Sequence, residues 1–150
     1  MTRSLLLRRM TREEILAMKP GREMDAVVAA NAMGLTVMRQ QEPDHFLHGL
    51  AKALRVPKHE RAAIPMVQMW RTSDGKTLRR YSTGTAASDV VEEMLTNAWD
   101  FQLVHRRNAT GYCWGASFSR GAFELVWCPT ASEAICKAAL LALLEEADAT

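Results

Sequence analysis

The stretch Thr130 to Glu146, TASEAICKAALLALLEE, reads as a helix that cannot stand alone in water. Thr130 and Glu133 have the spacing of a capping box, in which a hydroxyl and a carboxylate satisfy two N–H groups at a helix start. Behind them, Ala134, Ile135, Ala138, Leu141 and Leu144 recur at helical period and form one apolar face. That face has to be covered by other elements, so a layered fold follows for the rest of the chain.

Those elements are short and well punctuated. Thr11 and Glu14 form another capping box, and Pro20-Gly21 ends the helix they begin. A second helix is expected over residues 22–33, with Met24, Val27, Val28 and Asn31 on one stripe and Gly34 at its C-terminal end. Leu35 to Arg39 reads as a strand. Pro65 to Trp70 reads as another, turning at Ser73-Asp74-Gly75-Lys76 into a return strand over Thr77 to Tyr81. A helix over residues 86–98 follows. Three strands, 101–106, 112–118 and 122–128, then run as a meander ending at Pro129. The expected fold is α+β, with helices covering both faces of a mainly antiparallel sheet as a three-layer α/β/α sandwich.

Residues 41–64 interrupt this order. Pro43 and Pro57 lie near their ends, and Lys52, Arg55, Lys58 and Arg61 make them basic. Phe46, Leu47, Leu50, Ala53 and Leu54 are spaced like one face of a short helix. A helix-bearing insertion between strands is expected, and such segments often carry function.

Composition narrows the class. With 150 residues, 48% of them hydrophobic and 24% charged, the chain suits one globular domain. Cys113, Cys128 and Cys136 are odd in number and form no CxxC, as in a reducing cytoplasm. Leu5 to Leu7, followed by Arg8 and Arg9, is too short for a secretory core, and no stretch reaches the roughly 20 apolar residues of a membrane span. A cytoplasmic location with no membrane partner is expected.

Three blocks resemble one known family, the phage ABA sandwich domain proteins. They are MTREEILAMKPGREMDAVVAANAMG (10–34), YSTGTAASDVVEEM (81–94) and PTASEAICKAALLALLEE (129–146), in the family's order. The resemblance implies a bacteriophage or prophage origin, and hence the cytoplasm of a bacterial host. It implies a single domain over 10–150, with 1–9 an extension, and it supplies no activity and no catalytic residues. Residues 41–64 are longer and more basic than the family pattern.

The residues themselves show no catalytic constellation. His45-x-x-His48 with His59 lacks the fourth ligand of a closed zinc site, so no metal is expected. Cys113 and His105 fall on neighbouring strands without a third orienting group. Gly111, Gly115 and Gly121 do not make a phosphate loop, and no cofactor is expected. Asp89, Glu92 and Glu93 fit a solvated helix face.

Basic residues point instead to an anion. Arg71, Lys76, Arg79 and Arg80 share one expected hairpin, Arg106 lies at another strand end, and Tyr81 could stack on a base. Together with the phage origin that the resemblance implies, these residues nominate a non-enzymatic protein that sequesters a small anionic nucleotide, cyclic or ADP-ribose-type. Such a protein would serve against host immune signalling, with a pocket completed in a homo-oligomer. The alternative is a protein-interaction module that docks through Phe46, Leu50 and Leu54 of the insertion, with Leu47 beside them. A net charge of +2 argues against a large nucleic-acid contact.

Overall fold

A computed structural model describes residues 10–109, 111–121 and 124–149. The extension 1–9 and the start of the strand expected from Ala122 therefore lie outside the described residues. In order, the elements are α1 (Arg12–Ala17), α2 (Arg22–Asn31), β1 (Val37–Pro43), α3 (His45–Ala53), α4 (Lys58–Arg61), β2 (Met66–Thr72), α5 (Ala87–Thr96), β3 (Asp100–Asn108), β4 (Gly111–Ser119), β5 (Val126–Cys128) and α6 (Ala131–Asp148). The fold is mixed α+β. Its described strands form two antiparallel sheets, β1-β2 and β3-β4-β5, rather than the one sheet expected.

Local chemistry sets the helix ends. The Thr11 hydroxyl accepts from Glu14 N at 3.1 Å and the Glu14 carboxylate accepts from Thr11 N at 3.1 Å, completing the first capping box. The second is only half formed. Thr130 Oγ1 accepts from Glu133 N, but the Glu133 carboxylate turns to Lys137 Nζ at 2.9 Å. Lys137 is buried and also donates to the Leu16 carbonyl at 2.8 Å, which ties α1 to α6. A buried ammonium is tolerable only when paired in this way.

Helix α6 is enclosed on more than the one face its spacing suggested, with every residue from Ala134 to Ala142 buried. It packs against β4 and β5, and also against α1, α2 and α5. Lys137 is what hides this from the sequence, since a charged residue in mid-helix normally marks a solvent face. The meander β3-β4-β5 forms as expected. Its register places Phe101, Leu103 and His105 beside Phe118, Ala116 and Trp114, with Val126 and Cys128 on the same face. Phe118, Ala116, Val126 and Cys128 make that face part of the core.

The hairpin expected after Trp70 forms only next to its turn, with Thr72 N bonded to Lys76 O at 3.0 Å and Leu78 N to Trp70 O at 2.9 Å. The turn is present, with Gly75 at φ +80° and Asp74 accepting from the Thr72 hydroxyl and from Lys76 N. However, β2 pairs with β1, from Val37 opposite Thr72 to Pro43 opposite Met66. The described return is one bridge, Arg71 to Thr77. Arg22 explains the break, since its guanidinium takes the carbonyls of Leu78 at 2.7 Å and Arg79 at 3.3 Å. Those two oxygens are thereby held by a side chain instead of a ladder.

Behind that break lies the joint that fixes the YST block. Asp25, 1% exposed, accepts from Ser82 N at 2.8 Å, Ser82 Oγ at 2.7 Å and Arg22 Nη1 at 2.9 Å. Ser82 Oγ also lies 2.9 Å from Gly21 N, whose φ of +153° favours glycine there. Asp25→Ala leaves the buried Ser82 N–H without an acceptor, so urea unfolding should show a loss of about 2 kcal/mol. Ala98 ends α5 at φ +65°, with Trp99 N bonded to Met94 O at 3.1 Å as in a glycine-type helix stop. Ala98→Gly should therefore raise stability by up to about 1 kcal/mol, and an unchanged midpoint would contradict this assignment of backbone strain.

Candidate docking surface

Between β1 and β2 the chain leaves the core and builds an arm from α3 and α4. Pro43 ends β1, and Asp44 caps α3 by accepting from Leu47 N at 3.1 Å. The helix stops at Arg55, φ +56°, where Val56 N reaches Ala51 O at 2.9 Å. Arg61 Nε donates to the Val56 carbonyl at 2.8 Å and holds the short α4 against this stop.

The orientation of α3 is the unusual feature. No described residue of α3 is buried, and its best-shielded positions are His48 and Ala51. Its large apolar side chains face water instead: Phe46 is 77% exposed, Leu54 68%, Leu50 45% and Leu47 39%. At about 100° per residue these four fall within an arc of about 100°, the width of a core-facing stripe. A helix with this pattern ordinarily turns the stripe inward. Here an ion-pair cluster holds the opposite side to the ribbon. Arg71 makes a two-pronged contact with the Glu42 carboxylate, Nε at 2.8 Å and Nη2 at 2.7 Å. His45 Nε2 lies 3.0 Å from Glu42 Oε1 and 3.2 Å from Arg71 Nη2.

The residues expected to bind an anion are divided among the core, ion pairs and two sheets. Tyr81 is 1% exposed in the core, so it cannot stack on a bound base, and the reason is its place in the YST joint beside Asp25. Arg71 is committed to Glu42 and to the Thr77 hydroxyl at 3.0 Å. Arg79 pairs with Asp89 at 3.1 Å. Lys76 and Arg80 are exposed. Arg106 stands on the other sheet, 5.1 Å over the Trp127 ring. Phe46, Leu50 and Leu54, by contrast, do share one exposed stripe.

Register separates the Cys113–His105 pair. His105 is opposite Trp114 and stacks on it at 4.1 Å, whereas Cys113 is opposite Arg106 on the other face of the hairpin. Burial pushes the Cys128 thiol up to about 12 and raises Cys136 as well, so both stay protonated and inert. Among the described residues no three ligating side chains gather as a metal site, and His45 is spent on Glu42 and Arg71. No described helix is long and apolar enough to cross a membrane.

One feature that the sequence did not signal is a cleft of about 370 Å³ between α6 and the end of β4. Trp99, Phe118 and Leu141 line it, and arginines at its mouth are already paired. Arg12 bonds Glu124 and Glu145, while Arg120 bonds Glu146 at 3.2 Å and stacks on Trp99 at 4.1 Å. Its lining comes from four separate parts of the chain, so no local motif could have announced it.

The cluster under α3 makes a pH prediction. The Arg71 guanidinium, and then His45, hold the Glu42 carboxyl down at about 2 instead of 4.5. A depressed carboxyl contributes its anchoring fully above about 4.5 and loses it as pH falls toward 2. A carbon-detected NMR titration should find Glu42 near that low value, and Arg71→Ala should return it toward 4.5. An ordinary Glu42 titration in the native chain would contradict the cluster. No protein-family model matches the chain, and neither does any curated protein or solved structure.

Proposed function

We propose that this chain is a non-enzymatic protein-interaction module that docks through the outward stripe of α3. The observation that carries this reading is the exposure of Phe46, Leu47, Leu50 and Leu54 on one side of a helix anchored from the other. Removing a large apolar side chain from water contributes roughly 1.5–3 kcal/mol when burial is complete. Four such groups on one short helix therefore supply a driving force for association that the monomer leaves unused. Arg55 and Lys58 are exposed just beyond the end of the helix, and charge beside an apolar patch is common at interfaces.

We prefer docking to nucleotide sequestration because Arg71 and Arg79 are neutralised by carboxylates and Tyr81 is enclosed. Kinship with phage ABA sandwich proteins belongs to the same proposal, together with a three-layer arrangement and a site of action in a bacterial host's cytoplasm. It is supported by the YST block, whose serine and tyrosine serve the core joint rather than a site.

Position-resolved cross-linking tests the docking reading. A photoreactive amino acid at position 50 should give one discrete adduct in cells, which Phe46→Asp with Leu54→Asp abolishes. The same probe at Glu92, an exposed position of α5, should give none. No adduct at position 50, or equal labelling at both positions, would contradict the proposal.

A further inference from the structure

Resting on the docking reading, we infer that the occupant of the α3 stripe is α3 of a second copy of this chain, packed antiparallel across a two-fold axis at Leu50. Symmetry is the first argument. A two-fold contact has to be self-complementary, so that residue i meets j and j meets i. In an antiparallel pair centred on Leu50, that residue meets its own copy, and Phe46 and Leu54 meet each other, since each stands four positions from the centre. The two most exposed apolar side chains of the helix are thus each other's partners.

Charge gives the second argument. The N-terminal end of α3 carries Asp44, while Glu42 just before it is taken up by Arg71 and His45, and exposed Arg55 and Lys58 stand beyond the C-terminal end. Antiparallel packing sets the acidic end of one copy against the basic end of the other, and also opposes the two helix dipoles. A parallel pair would face like with like at both ends.

Area supplies the third. At roughly 200 Å² for a large side chain, the stripe exposes on the order of 400 Å² of apolar surface per copy. Two stripes together present on the order of 800 Å², below the roughly 1,000 Å² of a stable specific interface and in the range of weak, transient contacts. The seam is short, because α3 spans roughly 14 Å. The dimer is therefore a weak, reversible one.

The test uses the full chain. Sedimentation velocity across a micromolar concentration series should show a monomer–dimer equilibrium, and Leu50→Asp should weaken it at least about 100-fold while circular dichroism stays unchanged. Geometry is read in a Cys113→Ser background under mild oxidation. Leu50→Cys should form a disulfide-linked dimer rapidly. Phe46→Cys alone should link poorly, and Phe46→Cys combined with Leu54→Cys should link well. A chain that stays monomeric throughout the series overturns the inference, as does Phe46→Cys linking as fast as Leu50→Cys. If the chain is monomeric but the probe at position 50 captures a different protein, self-pairing fails and the docking reading stands. If it is monomeric and nothing is captured, both fail.

Discussion

The Asp25 carboxylate is the contact on which the architecture turns. It is buried, yet it receives a backbone N–H, a hydroxyl and a guanidinium, so its charge is matched by donors from two distant parts of the chain. Through Ser82 it holds α2 to the segment leading into α5, and through Arg22 it fixes the carbonyls of Leu78 and Arg79. The ladder ends at Leu78 N, and Leu78 and Tyr81 enter the core. A buried polar joint of this kind defines one arrangement sharply, because any slippage leaves a charge without partners in a low-dielectric surrounding.

Around that joint the molecule divides into two energetic regimes. The core is organised by α6, sheathed by β4, β5 and three helices, with Lys137 and Glu133 satisfying one another inside it. The arm has the reverse design. Its helix buries nothing fully, and polar contacts at Glu42, Arg71 and His45 anchor it. Segments with few buried apolar contacts open at low free-energy cost, and binding surfaces are commonly drawn from them. An arm of this design gains most from a partner that covers its stripe.

Much of this was legible along the chain. The Thr11–Glu14 box, the helix before Gly34, the meander and the apolar stripe at 46, 50 and 54 all follow from local spacing, which is what sequence patterns report. What escaped were consequences of contacts distant in sequence. Arg22 diverts the return strand from more than fifty positions away, and nothing near Thr77 announces it. Tyr81 looked available because it adjoins Arg79 and Arg80, but its burial is set by the Asp25–Ser82 joint. Arg71 looked like an anion ligand until β1 brought Glu42 beside it. The stripe itself was visible, but whether it faced the core or water could only be learned from where the Glu42 cluster pins the helix.

Hydrogen exchange across a concentration series tests the central claim most directly, because it watches the α3 backbone while the core serves as its own control. If α3 is an interface, the amides from Leu50 to Leu54 should gain protection as the chain is concentrated, while those of α6 hold constant. Exchange in α3 that stays fast and indifferent to concentration, alone and in cell extract, would mean that nothing covers the stripe and that the arm is not a docking surface.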